Sequence, residues 1–130
     1  MTTPRLSAQG TKLAANSPIP TAKLEDICSK ALSSIIQPTT VYKHDSTASW
    51  NDAIINTILK SLVAESSTCK YVVYSTIIQN EPAAVARGIH STSGAYWNNE
   101  KDGLWNYSWT GGAGDEGLYV VISIAWITNK

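Results

Sequence analysis

The chain has little of what catalysis and long-range electrostatic binding draw on. Among 130 residues there are two histidines, His44 and His90, and two cysteines, Cys28 and Cys69. Neither histidine sits in a nucleophile-elbow or metal-ligand pattern, and the cysteines follow no metal-binding spacing, so the chain reads as a non-enzyme with no cofactor and no metal. Ten basic and ten acidic side chains cancel, which removes the strong positive field of a nucleic-acid binder or of a protein drawn to anionic membranes. No apolar run reaches the roughly 20 residues needed to cross a bilayer. No N-terminal stretch has the charged-then-apolar pattern of a secretion signal. The expectation is a soluble cytosolic protein with reduced thiols, whose partners are recognised locally.

One motif argues otherwise at first sight. Residues 112–117, "GAGDEG", match the G-x-G-x-x-G spacing of a dinucleotide-binding turn. That chemistry needs a strand running in and a helix leaving with its N-terminal N–H groups aimed at phosphate. Here an extended segment ends near Thr110 and another starts near Leu118, and Asp115 and Glu116 would repel phosphate. The spacing therefore predicts a glycine-rich hairpin connection.

What is present is a change of period. Residues 1–18 mix Ser, Thr, Pro, Gly and Lys with scattered apolar residues and predict a disordered tail ahead of a single domain over 19–130. Leu24, Ile27, Cys28, Ala31, Leu32, Ile35 and Ile36 recur at three- and four-residue steps, with Thr21 as N-cap and Pro38 as terminator. A second helix has Ser49 as its cap, Asp52 to complement its dipole, and a stripe of Ile54, Ile55, Ile58, Leu59, Leu62 and Val63. Cys28 shares the apolar face of the first helix as a small buried thiol, and Cys69 opens the first strand. From Lys70 the period falls to 2 in four segments: "KYVVYSTIIQ", "GIHSTSGAYW", "LWNYSWT" with Trp105, Tyr107 and Trp109 on one face, and "LYVVISIAWI". Helices first and strands after predict an α+β fold, two helices packed on a four-stranded antiparallel sheet.

The apolar surface outruns its cover. In the first strand Tyr71, Val73 and Ile77 alternate with Val72, Tyr74 and Ile78; in the last, Tyr119 and Val121 alternate with Leu118, Val120, Ile122, Ile124 and Trp126. Both faces are apolar. Two helices of about 15 residues, each about 22 Å long, cover one face only, and a monomeric antiparallel sheet would show water a polar face. A second subunit is expected there, because the tail is too poor in apolar residues to cover it. The second strand differs: Ser91, Thr92, Ser93 and Gly94 offer a row of backbone donors and acceptors and little packing, which suits an edge where another chain can pair.

The order of "SW" opening the second helix, "KYVVYSTIIQ", "GIHSTSGAYW" with "DG" following, and "LYVVISIAWI" resembles the Tctex-type dynein light chains over roughly residues 20–128. The resemblance implies a non-catalytic, strand-exchanged homodimer in which the second strand completes the partner's sheet. It implies a cytoplasmic place on the microtubule motor complex, and as partners the chain itself, a dynein intermediate chain segment and cargo proteins, with no nucleic acid or membrane. By the same resemblance Ile89, His90, Ser91, Thr92, Ser93, Gly94, Ala95 and Tyr96 supply the edge along which an extended partner segment docks. Gly88, Trp97, Trp105, Tyr107, Trp109, Tyr74 and Val121 are assigned to the dimer interface. The connections "NEPAAVAR" and "TGGAGDEG" are longer than the family's pattern and bear on which segment is bound. A dimerisation hub of the same fold in another complex stands as the alternative.

Overall fold

The computed structural model describes residues 16–80, 98 and 100–128. Two helices, α1 (Thr21–Ile35) and α2 (Thr47–Glu65), precede three strands, β1 (Cys69–Gln79), β2 (Gly103–Gly111) and β3 (Leu118–Thr128). The expected second strand, 88–97, lies outside the described residues. The fold is α+β, as its segregated helix and strand patterns require.

The helices sit where the apolar period places them, but their first turns differ from expectation. Pro20, not Thr21, is the N-cap of α1, extended at φ −55° and ψ 142°. Its carbonyl accepts from the backbone N–H groups of Lys23 and Leu24 at 2.9 and 3.0 Å. Proline can hold this position because its missing N–H lies outside the helical ladder. Helix α2 begins before Ser49: a 3₁₀ turn at His44–Ser46 feeds straight into it, with Ser46 as N-cap. Ser49 Oγ then donates to the Ser46 carbonyl at 3.1 Å instead of capping, and no acidic residue stands in the first turn, so Asp52 is too far along to complement the dipole.

β3 is the central strand of the described sheet, with β1 on one side and β2 on the other, both antiparallel to it. The register aligns Tyr71, Trp126 and Gly103 across the sheet, then Val73, Ile124 and Trp105, then Ser75, Ile122 and Tyr107. Those rows face the helices. Their β3 and β2 members meet Leu24, Ile27, Cys28 and Leu32 of α1 and Ile54, Ile58 and Leu62 of α2 in one core. Each fully buried aliphatic side chain contributes about 1.5–3 kcal/mol. Only one α2 residue per turn reaches that core. Ile55 and Leu59 are half-buried at the flank, and Val63 is exposed to water.

The "GAGDEG" segment is a hairpin connection carrying a single 3₁₀ turn, Gly114–Glu116, and β3 follows it directly. Gly112 has φ +85°, and a Cβ there would lie 2.6 Å from the Thr40 carbonyl oxygen. That same oxygen accepts from the Ala113 N–H at 2.7 Å. Tyr42 N–H donates to the Glu116 carbonyl at 2.8 Å, and Asn80 donates to the Gly117 and Gly114 carbonyls at 3.1 and 3.0 Å. The glycines thus admit the α1–α2 connector at close range, where a phosphate cradle would need a helix.

Candidate functional site

The side of the sheet turned away from the helices is the surface with most to offer a partner. β1 contributes Val72, Tyr74, Thr76 and Ile78, β3 contributes Tyr119, Val121, Ser123, Ala125 and Ile127, and β2 contributes Leu104, Asn106, Ser108 and Thr110. Tyr74 is 61 % exposed and Val72 40 %, the most open large apolar side chains on the sheet among the described residues. The polar groups on this face, Thr76, Ser123, Asn106, Ser108 and Thr110 with Lys70 beside Ile127, are partly self-satisfied: Ser123 Oγ donates to Asn106 Oδ1 at 2.6 Å. Its β1 and β3 part, built chiefly of Val, Ile, Ala and Tyr, departs from the polar solvent side of a lone antiparallel sheet.

The predicted interface residues divide between the two faces. Tyr74 and Val121 lie on the open one. Trp105, Tyr107 and Trp109 share a face as their alternation requires, but it is the face under the helices. Trp105 is fully buried and stacks on Tyr107, ring centroids 5.7 Å apart and 16° from parallel. Burial raises the Tyr107 hydroxyl above its ordinary range against the opposing hydrogen bond of Ser29. Trp105 Nε1 has no hydrogen-bond partner among the described residues, a cost borne inside the chain's own core. Gly88, Ile89, His90, Ser91, Thr92, Ser93, Gly94, Ala95, Tyr96 and Trp97 lie outside the described residues.

A cluster that sequence reading missed fixes where the undescribed chain rejoins the sheet. The buried Asp102 carboxylate accepts from the Asn98 N–H at 3.0 Å and the Thr128 N–H at 2.7 Å. The two backbone N–H groups, Thr128 foremost, hold its carboxyl below the usual carboxylate range. Its own carbonyl accepts from Asn16 Nδ2 at 3.0 Å, and Asn16 Oδ1 accepts from Trp126 Nε1 at 3.3 Å. The signal available in the sequence was "DG": glycine is needed next because the Trp126 ring lies 2.5 Å from where a Gly103 Cβ would stand.

Both strand directions matter here. Since β1 and β2 are each antiparallel to β3, they run parallel to one another. Gly103 stands level with Tyr71, so the end of β1 at Gln79 and the start of β2 lie at opposite ends of the sheet, eight residue steps or about 27 Å apart along the strands.

Sites of other kinds are weakly developed. A groove of about 420 Å³ between α1 and α2 has Ile27 and Ala31 in its lining, and its lysines are paired, Lys23 with Glu65 at 3.4 Å and Lys30 with Asp26 at 3.2 Å. His44 is exposed, its Nδ1 3.1 Å from the Tyr42 hydroxyl. Among the described residues no group of three His, Cys, Asp or Glu could hold a metal ion, and no helix is long and apolar enough to cross a membrane.

Comparison with known proteins gives a consistent result. Residues 18–127 match the Tctex-1 family. A dynein light chain Tctex-type of Schizosaccharomyces pombe is 38 % identical over 112 residues, 85 % of this chain and 96 % of that protein. A dynein light chain Tctex-type of Drosophila melanogaster is 29 % identical over 102 residues, 76 % of this chain and 85 % of that protein. One of the same name from Dictyostelium discoideum is 29 % identical over 86 residues, 65 % of this chain and 70 % of that protein.

Proposed function

The chain belongs to the Tctex-1 family, and from that premise we propose that it is a non-catalytic light chain of the cytoplasmic dynein motor complex. In this reading two copies associate through the open face and the adjoining outer edge of β1. Residues 88–97 pair along that edge of the partner's sheet. An extended segment of the dynein intermediate chain then adds as a further strand along Ile89–Tyr96, and cargo proteins dock on the same assembly.

The observation that carries this reading is the open apolar face, on which Tyr74 and Val72 stand exposed beside half-buried Val121 and Ile127. Covering such a face with a second copy removes apolar area from water at about 25 cal/mol per Å². The parallel run of β1 and β2 adds support, because the return of the chain gives a ten-residue strand both the length and the direction to lie antiparallel to a β1. Backbone pairing would supply affinity and side-chain pockets selectivity. Two symmetric sites on one dimer would raise avidity for paired intermediate chains. The name shared by the three relatives supports the motor assignment over a hub in another complex.

Titration of intermediate-chain peptides from the same cytosol into the protein, followed by calorimetry, tests it. Saturable binding at one peptide per chain is expected, with loss on Thr92→Pro, which disrupts the docking strand. No binding, together with recovery from cytosol of a partner set devoid of motor subunits, would overturn the motor assignment.

A further inference from the structure

We propose that the flank of α2 carrying Ile55, Leu59 and Val63 is a further wall of the subunit contact, roofing the strand that a second copy adds along the outer edge of β1. The inference rests on the dimer reading above and deepens it, since that reading uses only the open face and the edge itself.

The first ground is the period of α2. Ile54, Ile58 and Leu62 are fully buried over the sheet, while Thr57, Ser61 and Ala64 line the groove shared with α1. Ile55, Leu59 and Val63 recur at four-residue steps, roughly 170° around the helix from that groove. α1 therefore cannot cover them. Ile55 and Leu59 are half-buried, and Val63 is 54 % exposed. α2 packs on β1 and α1 on β2. Two hydrogen bonds hold α2 along β1: Ser75 Oγ donates to Asn51 Oδ1 at 2.6 Å, and the Tyr71 hydroxyl donates to the Ser66 carbonyl at 2.8 Å. With α1 on its inner side, α2 turns this apolar ridge outward past β1, the terminal strand there among the described residues.

The second ground is how burial fades beneath the ridge. On the helix side of β3, Trp126, Ile124, Ile122 and Val120 are fully buried. Their β1 neighbours, Tyr71, Val73, Ser75 and Ile77, are only half-buried. A terminal position alone does not cause this, because Trp105 and Tyr107 of β2, terminal among the described residues on the other side, are buried. The core is closed toward β2 and open toward β1.

The spacing selects the occupant. A strand paired to β1 stands about 4.8 Å outside it, within the roughly 5–6 Å radius of a helix with its side chains. The pleat turns alternate side chains of that strand toward the helix layer, where they meet the ridge and close the half-open rows. A further strand, such as the intermediate chain segment of the same reading, stands about 10 Å out and clears the ridge. The ridge thus fits the second copy's strand.

Sedimentation equilibrium on the full chain, native, Val63→Lys and Leu59→Lys, tests this. Lysine is a better helix former than valine and suits a C-terminal turn. Val63 lies outside the chain's own core, so Val63→Lys is expected to keep the native circular dichroism spectrum and urea midpoint. The dimer dissociation constant is expected to rise about tenfold or more in both variants, because the charge loses water in the contact. Ala64→Lys, with the same charge on the α1 side, is expected to stay within about twofold of the native constant. Native-strength dimers in both ridge variants would overturn the further wall and leave the dimer reading standing. A native chain that sediments as a monomer would overturn the dimer reading itself, and the wall with it.

Discussion

Asp102 ties three separate parts of the chain together through one side chain and one carbonyl, joining residue 98, the end of β3 and Asn16. Its carboxyl is held low in the folded state by the N–H groups it accepts from. The stabilisation is thus fully present above the ordinary carboxylate range and is lost as pH falls through the depressed folded value. Asp102→Asn should be less stable at neutral pH in urea unfolding and should flatten the acid limb of the stability profile. An unaltered acid limb would show that the carboxylate contributes nothing. The two thiols differ by burial in the same way. Cys28 has no exposed surface, and desolvation, with a lesser contribution from Glu25, pushes its pKa up to about 12. A thiolate-seeking reagent at pH 8 should label the half-buried Cys69 in the folded protein, and Cys28 only after unfolding.

At the scale of elements, the β2–β3 connection makes its own prediction. Gly112 combines φ +85° with a carbonyl oxygen 2.6 Å from any Cβ, so Gly112→Ala should destabilise the fold by about 1 kcal/mol or more, read from the urea midpoint. Ile58→Ala, in the core under α2, should cost about 2–5 kcal/mol. These elements also mark how far the sequence could be read. The periods of α1, α2 and the three described strands were legible because burial repeats with the backbone's own geometry. The helix starts were not, since several Ser and Thr residues stand near each start and the selection depends on the local path of the chain, such as the turn in which the Ser17 hydroxyl bonds to Ile19 and the 3₁₀ turn ahead of Thr47. Alternation placed Trp105, Tyr107 and Trp109 together, yet it cannot label which face is inner. That label comes from the pairing with β3, which sets Trp105 beside Ile124 beneath the helices. The open face, with Tyr74 and Val121, was legible as an excess of apolar surface over helix to cover it.

The whole molecule is governed by that excess. Two helices cover one side of the sheet, and the other carries Val72, Tyr74, Val121 and Ile127 with few charges to keep copies apart. Tyr74→Lys places a charge at the centre of the proposed subunit contact while leaving the helix-side core untouched, so it should produce a folded monomer with the native circular dichroism spectrum. Retention of the dimer by that variant would move the contact elsewhere. The most direct test of the two-chain account is the mass in solution at micromolar concentration, by sedimentation equilibrium, of the native chain. The account predicts about 28 kDa, twice the 14.0 kDa of one chain. A monodisperse species at the mass of a single chain would contradict it, and the exchanged strand and the paired binding sites would fall together.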